Sequence, residues 1–247
     1  MPEPSNVKLD HGAINQRILA KENAGDYRRV EQASVKQRTR FESPEAKRLY
    51  ARYFHSLQLN AHFISEIARI RLEADQVEKV EQMMRSRLER LAQEIDSAID
   101  GAALLLEREG VTTTATYDAQ ALDMEVGVIS SFGRRYLEAL LKLDRLMPML
   151  RTLEIYEVIT TSEADKRRAL YKKQVRGGAM GVRILAGGLR KRMNEAALRE
   201  DAMDAVRGGR QAAAQAQPPV ALIAAMNGQA VPESPESDEP PIKVAAE

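Results

Sequence analysis

The sequence contains no cysteine and no tryptophan, and aromatic residues make up only 4% of its 247 residues. The absence of cysteine excludes disulfides, thiolate-bound metals and thiol nucleophiles, and it is typical of a protein from a reducing cytoplasm. No stretch approaches the roughly 18 consecutive apolar residues that a membrane-spanning helix needs. The first residues also lack the apolar segment of a signal peptide. We therefore expect a cytoplasmic protein with no membrane partner.

The sequence has almost no net charge, because 37 Lys and Arg oppose 36 Asp and Glu. An electrostatic function must therefore depend on where the charges lie and not on their sum. Hydrophobic residues at 44% and charged residues at 30% indicate a helical protein with long solvated faces. One segment is strongly biased: from Lys166 to Arg192 there are ten Lys and Arg and no acid.

The two ends of the chain lack sustained periodicity. Residues 1–42 predict a flexible basic N-terminal arm, since eight Lys or Arg against three Glu lie between Arg28 and Arg52. That arm either touches a polyanion or is a solvated linker. Residues 199–247 are rich in Ala, Pro and Glu, which predicts a disordered tail.

A long antiparallel helical hairpin is predicted after the arm. Its first helix begins at Ser43, which is a good N-cap, followed by Pro44 at the first helical position. Its second helix covers residues 75–109, with Asp75 and Glu78 at capping-box spacing. A helix of that length needs a partner, which is either the preceding helix or a second chain. The same helix is the predicted surface for other protein partners.

A short strand followed by two helices is predicted within residues 119–192 of a helical domain that spans 43–198. Leu122, Met124 and Val126 alternate along the strand. Apolar residues at steps of three and four mark the first helix, residues 131–159, and a basic second helix starts near Ser162. The fold class is thus mainly α. A single strand leaves its backbone N–H and C=O groups without hydrogen-bond partners. Pairing with the same strand of a second chain would supply those partners, so we expect a homodimer.

No catalytic, cofactor or metal site emerges from the sequence. His55 and His62 lie on one helical side without a third ligand, and so are interpreted as ordinary histidines. The glycines at 177, 178, 181, 187 and 188 lack the other elements of a phosphate loop, which favours either close helix packing or a weak, frayed helix end instead. We therefore expect that the protein is not an enzyme.

Several segments resemble the AcaB-like transcriptional regulators of conjugative plasmids and integrating conjugative elements. The resemblance is carried by Glu107–Gly110, Tyr117, the helix from Arg134 to Ile159 and the Lys/Arg-rich helix after it. It implies a dimeric DNA-binding regulator with a ribbon-helix-helix-like part. In such a module two chains pair their strands, and the ribbon enters the major groove of double-stranded DNA.

The resemblance and the charge pattern together nominate the DNA-binding residues. Asp123 and Glu125 do not fit a strand that faces a polyanion. Three interpretations remain open: the strand is displaced from the DNA, the DNA is bound by another surface, or the protein acts through other proteins. The candidate DNA-binding residues are Arg134, Arg135, Ser162, Lys166, Arg167, Arg168, Lys172, Lys173 and Arg176. The competing hypothesis is a non-enzymatic helical scaffold or adaptor of a conjugation or plasmid-encoded assembly.

Overall fold

The structure is a computed structural model that describes residues 12–24 and 32–215. The chain divides into two compact units, Met1–Glu195 and Ala196–Glu247, and of the second unit only the helical stretch up to Gln215 is described. Within the described residues the protein is mainly helical with one two-stranded antiparallel sheet, so the predicted fold class is confirmed.

Two short strands are each followed by a series of helices. Helix α1 (Ala13–Ala24) is followed by strand β1 (Val35–Phe41) and helix α2 (Pro44–His62). Helix α2 continues through a π-helical turn (Phe63–Ile67) and a short helix α3 (Ala68–Arg71) to the long helix α4 (Ala74–Arg108). Strand β2 (Leu122–Val128), helix α5 (Ser131–Ile155) and helix α6 (Thr161–Gln215) complete the described chain.

Hydroxyl side chains begin three of the long helices. Ser43 accepts a hydrogen bond from the backbone N–H of Ala46 at the start of α2, as predicted. Ser130 does the same for Gly133 in α5, and Thr160 for Glu163 in α6. The predicted cap at Asp75 is wrong, because α4 begins one residue earlier after Glu73, whose side chain makes no capping bond.

The interpretation of residues 1–42 as a flexible arm needs correction within the described residues. Residues Val35–Phe41 form β1, and Ala13–Ala24 form α1. The strand alternates between the exposed cations Lys36, Arg38 and Arg40 and inward residues, of which Thr39 and Phe41 are buried. Two buried inward-facing side chains are too weak a period-two signal to separate a strand from a polar linker.

Strand β2 pairs antiparallel with β1 of the same chain and not with a second copy of itself. The pairing runs from Val35 opposite Val128 to Phe41 opposite Leu122. This corrects the sequence-based picture of a ribbon made by two chains. Because β1 satisfies one edge of β2, the unpaired strand no longer argues for a homodimer. The homodimer stays an untested prediction.

The helices of the first unit pack as a four-helix arrangement around one core. Helix α4 contacts the π-helical turn and α3 beyond the end of α2, and a 2.6 Å ion pair joins Arg69 of α3 to Glu81 of α4. Helix α5 packs against both α4 and α2. Helix α6 approaches α4 closely at two glycines. A Cβ on Gly178 would lie 3.0 Å from the Leu91 side chain. A Cβ on Gly181 would lie 2.4 Å from Arg87 Nε, so that close helix packing holds at these two positions. A Cβ on Gly177, Gly187 or Gly188 would meet open space among the described residues.

The chain repeats one strand–helix–helix unit. Each element of the second copy of this repeat begins 87 residues after its counterpart in the first copy: Val35 and Leu122 start the strands, Pro44 and Ser131 the first helices, and Ala74 and Thr161 the second helices. The two strands have the same length, seven residues. Buried positions of α4 recur in α6 at this spacing: Val77 and Ala164, Leu88 and Val175, Ile95 and Val182. One chain therefore contains both strands of a ribbon.

The far end of the chain extends the predicted second helix. Helix α6 continues through Gln215 and so enters the segment 199–247 that the sequence assigns to a disordered tail. The apolar stretch 220–226 and the rest of that segment lie outside the described residues. Among the described helices, none has the length and apolar character that crossing a membrane requires.

Candidate nucleic-acid interface

The outer face of the β1–β2 ribbon carries three cations and two carboxylates. Lys36, Arg38 and Arg40 all point outward from β1 and are exposed. In the antiparallel register they lie opposite Gly127, Glu125 and Asp123 of β2. The two carboxylates that did not suit a DNA-facing strand are thus matched by cations on the neighbouring strand. We call this surface, defined by Lys36, Arg38 and Arg40, the ribbon face.

The cations of the ribbon face differ in how far they are neutralised. Arg40 Nε lies 3.2 Å from a Glu42 oxygen, and its Nη1 lies 3.9 Å from Asp123 Oδ2. Lys36 and Arg38 make no ion pair with another described residue. Free guanidinium and ammonium donors on a two-stranded ribbon match the acceptors that guanine presents in the major groove. The arrangement can therefore supply base contacts as well as phosphate contacts.

The two arginines predicted on α5 are engaged within the protein. Arg134 pairs with Glu138 one turn along the same helix. Arg135 reaches across to α4, where its Nη1 lies 3.0 Å from Glu89 Oε1. Both guanidiniums already have a carboxylate partner, and so they are weaker phosphate contacts than the sequence indicates.

The first turn of α6 carries three further predicted residues. Ser162 is exposed, but the capping hydroxyl belongs to Thr160. Lys166 is exposed without a partner among the described residues, whereas Arg167 pairs with Glu163. Of these three, Lys166 is the one that is free to meet a phosphate.

Arg168 holds the end of α5 to the start of α6 and is a poor DNA contact. Its side chain is only 19% exposed, and its Nη1 lies 3.6 Å from Asp165 and 4.0 Å from Glu154. The neighbouring Tyr117 hydroxyl is also buried. Burial, reinforced by the charge of Glu45, raises the pKa of Tyr117 to about 12. The charge of Arg168 lowers this pKa and so offsets part of the rise. Arg168 therefore has a structural role.

The remaining three predicted cations converge in a groove between α1, α2 and α6. The groove has a volume of about 690 Å³. Lys172, Lys173 and Arg176 form its α6 side. Among the residues that the structure describes, no carboxylate lines the groove. We call it the basic groove; its other lining residues are the cations Arg17, Arg48 and Arg52 and the apolar or aromatic residues Ile14, Ile18, Leu49, Ala51, Tyr53 and Ala169.

His55 lies in a cluster of aromatic rings. Among the described residues, no three His, Cys, Asp or Glu side chains are grouped as metal ligands. The His55 ring instead packs edge-on against Tyr50 and Phe54, with ring centroids 5.9 and 5.7 Å apart.

The fold is similar to one solved structure, that of AcaB from uropathogenic E. coli. The two chains are 19% identical, the match covers 69% of this chain and 88% of AcaB, and the TM-score is 0.63. No protein-family model matches the chain, and no curated protein does. At this level of identity the similarity shows a shared fold.

Sequence reasoning missed the ribbon face and half of the basic groove. Lys36, Arg38 and Arg40 were visible only as part of a basic segment, because nothing identified the strand that presents them. The sequence did contain one signal of the repeat. Ser43 and Ser130 lie 87 residues apart, and each comes just before a helix. It would have suggested a second strand before Ser43.

Proposed function

We propose that this protein is a DNA-binding transcriptional regulator of conjugative-transfer or mobile-element genes. The fold shared with AcaB and the sequence resemblance to the AcaB-like regulators support this class. The observation that carries the proposal is the ribbon face, where a complete two-stranded ribbon presents Lys36, Arg38 and Arg40 to solvent.

The ribbon face recognises the duplex from the major groove, which is wide enough for two strands. Arg38 and Lys36 donate to the O6 and N7 acceptors of guanine, the commonest specific contact of these side chains. Glu125 and Asp123 on β2 accept from cytosine amino groups, which are the base donors they suit. Because the two strands carry opposite charges, the ribbon reads the two halves of its site differently.

Phosphate contacts position the ribbon and set the salt dependence of binding. Lys166 at the start of α6 is the predicted residue best placed for this role, since it is exposed and unpaired among the described residues. Arg134, Arg135 and Arg167 must first give up a carboxylate partner. A homodimer would double these contacts, but one chain already completes the ribbon.

Duplex binding as a function of salt separates this proposal from a helical scaffold. We expect a labelled duplex to bind at 50 mM salt and to lose roughly a hundredfold in affinity by 200 mM, as about four phosphates are neutralised. A scaffold whose basic faces are merely solvated shows no such slope. Sequencing of DNA recovered with the native protein then identifies the operator.

A further inference from the structure

The internal repeat provides a control for the basic groove, because each position on α6 from Thr161 to Glu195 has a counterpart on α4. On the α4–α5 side, two ion pairs join the helices: Arg135 to Glu89 at 3.0 Å and Lys142 to Asp96 at 2.5 Å. Glu89 and Asp96 of α4 therefore neutralise one cation each on the neighbouring helix α5.

At the same spacing of 87 residues, the counterparts of Glu89 and Asp96 are Arg176 and Arg183 on α6. The counterpart of Arg135 is Arg48 on α2, which lines the basic groove together with Arg176. An arginine–glutamate pair in one half of the molecule is therefore replaced by two arginines in the other. Like charges held close together are unfavourable unless an anion lies between them.

The groove extends this inverted charge over a concave surface. The six cations among its described lining residues come from three helices, and no described carboxylate lines it. Arg183 lines the adjoining cavity of about 370 Å³, together with Arg52 and Tyr53. Among the described residues, none of these cations forms an ion pair with a carboxylate. The positive charge is thus left for a ligand.

The floor of the groove is apolar, which restricts the class of ligand. Ile18 and Leu49 are buried, Tyr53 is half-buried, and Ile14 is 44% exposed. A volume of about 690 Å³ lies within the usual range for small-molecule sites, roughly 300–1,000 Å³. A duplex backbone presents phosphates but no apolar group to such a floor. An organic anion with an aromatic body covers the floor and meets the cations at once.

We propose that the basic groove binds a small polyphosphorylated ligand with an aromatic body, of the nucleoside triphosphate class. The phosphates lie between Arg48, Arg52, Lys172 and Arg176, and the aromatic body packs on Tyr53 and the isoleucines of α1. Charge-assisted hydrogen bonds from arginine to phosphate are among the strongest polar contacts in proteins. This inference does not rest on DNA binding by the ribbon face.

The probe is methylanthraniloyl-ATP, followed by fluorescence anisotropy in low salt. We expect unlabelled ATP to displace it, pyrophosphate to displace it at least tenfold more weakly, and adenosine to be weaker still. Equal displacement by ATP and pyrophosphate would overturn the aromatic part of the proposal. Absence of any binding at millimolar probe would overturn the whole.

The deciding variant is Arg176→Glu, which gives the groove the residue that its counterpart Glu89 has in the other half. It provides Arg48 with a partner, so the fold is retained while affinity for ATP falls at least tenfold. The control Glu89→Gln leaves ATP affinity unchanged. If Arg176→Glu does not fold, Lys172→Gln with Lys173→Gln replaces it. Unchanged ATP affinity in a folded groove variant would contradict the site.

The same variants keep the two proposals distinguishable. Removing the cations of the ribbon face should abolish duplex binding and leave ATP affinity intact. Arg176→Glu should do the reverse. A parent that binds duplex but not ATP, and whose Arg176→Glu variant loses the duplex, would assign the basic groove to DNA and overturn this inference.

Discussion

Arg38 on β1 lies directly opposite Glu125 on β2, and the two residues occupy the same position in their strand–helix–helix units. Equivalent residues face each other only where a two-fold axis crosses the ribbon. The repeat therefore has the pairing of a symmetric dimer within one chain. The two halves of the repeat carry opposite charges at this position, so the charge distribution of the ribbon is not two-fold symmetric.

Replacing Glu125 tests whether that asymmetry restrains DNA binding. Glu125→Gln removes a carboxylate that would face the duplex, while Arg38 opposite it is kept. We expect the affinity for a random-sequence duplex at low salt to rise roughly tenfold, which is about 1.4 kcal/mol. Fluorescence anisotropy measures the change. An unchanged or lower affinity would indicate that β2 does not face the duplex.

Asp144 fixes the connection between the ribbon and α2. Its carboxylate accepts hydrogen bonds from the backbone N–H groups of Glu42 and Ser43, the latter at 2.7 Å, and from the Ser43 hydroxyl at 2.6 Å. Asp144→Ala removes both acceptor oxygens, and so leaves the N–H and hydroxyl of the buried Ser43 without this partner. We expect a loss of about 1–3 kcal/mol in the free energy of unfolding, measured by urea denaturation. A neutral result would show that this connection contributes little.

Helix α5 ends with a left-handed residue that is not glycine. Glu157 has φ of 56°, and Val158 N–H donates to Leu153 across the helix end at 2.9 Å. The cost of a side chain in this conformation is about 1–2 kcal/mol. Glu157→Gly should therefore raise the free energy of unfolding by about 1 kcal/mol, because glycine's greater freedom in the unfolded chain offsets part of the gain.

The end of α4 provides the matched control. Gly110 has φ of 66°, and the next N–H, from Val111, donates to Leu106 at 2.9 Å in the same motif. Gly110→Ala should lower stability by about 1 kcal/mol. The same sign of change in both variants would contradict the backbone explanation.

Burial of Tyr117 predicts a loss of stability in alkali. Its pKa is raised from 10.0 to about 12, chiefly by burial. The folded state therefore keeps the proton between these values while the unfolded chain loses it. The contribution of Tyr117 is full below pH 10 and is lost as pH rises towards 12. Denaturation at pH 9 and 11 should show a steeper decline for the parent than for Tyr117→Phe.

The helices were predictable because their signals are local. The apolar spacing of Tyr136, Leu140 and Leu143 specifies the buried face of α5, and serine or threonine marks its start and that of α6. Strand β1 was not predicted, since its alternation rests on Thr39 and Phe41 within a run of cations. Which strand pairs with β2 depends on chain folding over 87 residues, which no local pattern encodes.

The candidate site was predictable in composition but not in arrangement. Helix α6 is basic in sequence, yet Arg168 turns inward to Glu154, a residue on another helix. Arg135 likewise meets Glu89 through packing of α5 on α4. The basic groove needs Arg48 and Arg176 brought together from positions more than 100 residues apart. Such charge contacts follow from tertiary structure.

The salt dependence of duplex binding by a ribbon-face variant tests the central claim most directly. The variant Lys36→Gln, Arg38→Gln, Arg40→Gln is compared with Lys79→Gln, Arg85→Gln, Arg90→Gln, which removes the same charge from exposed positions on α4. We predict that the ribbon-face variant stays folded, binds duplex at least tenfold more weakly at low salt, and has a salt slope lower by about 0.9 for each of its cations that neutralises a phosphate in the parent protein. The α4 variant should behave like the parent protein. Equal slopes for the parent and the ribbon-face variant would contradict DNA binding through the ribbon.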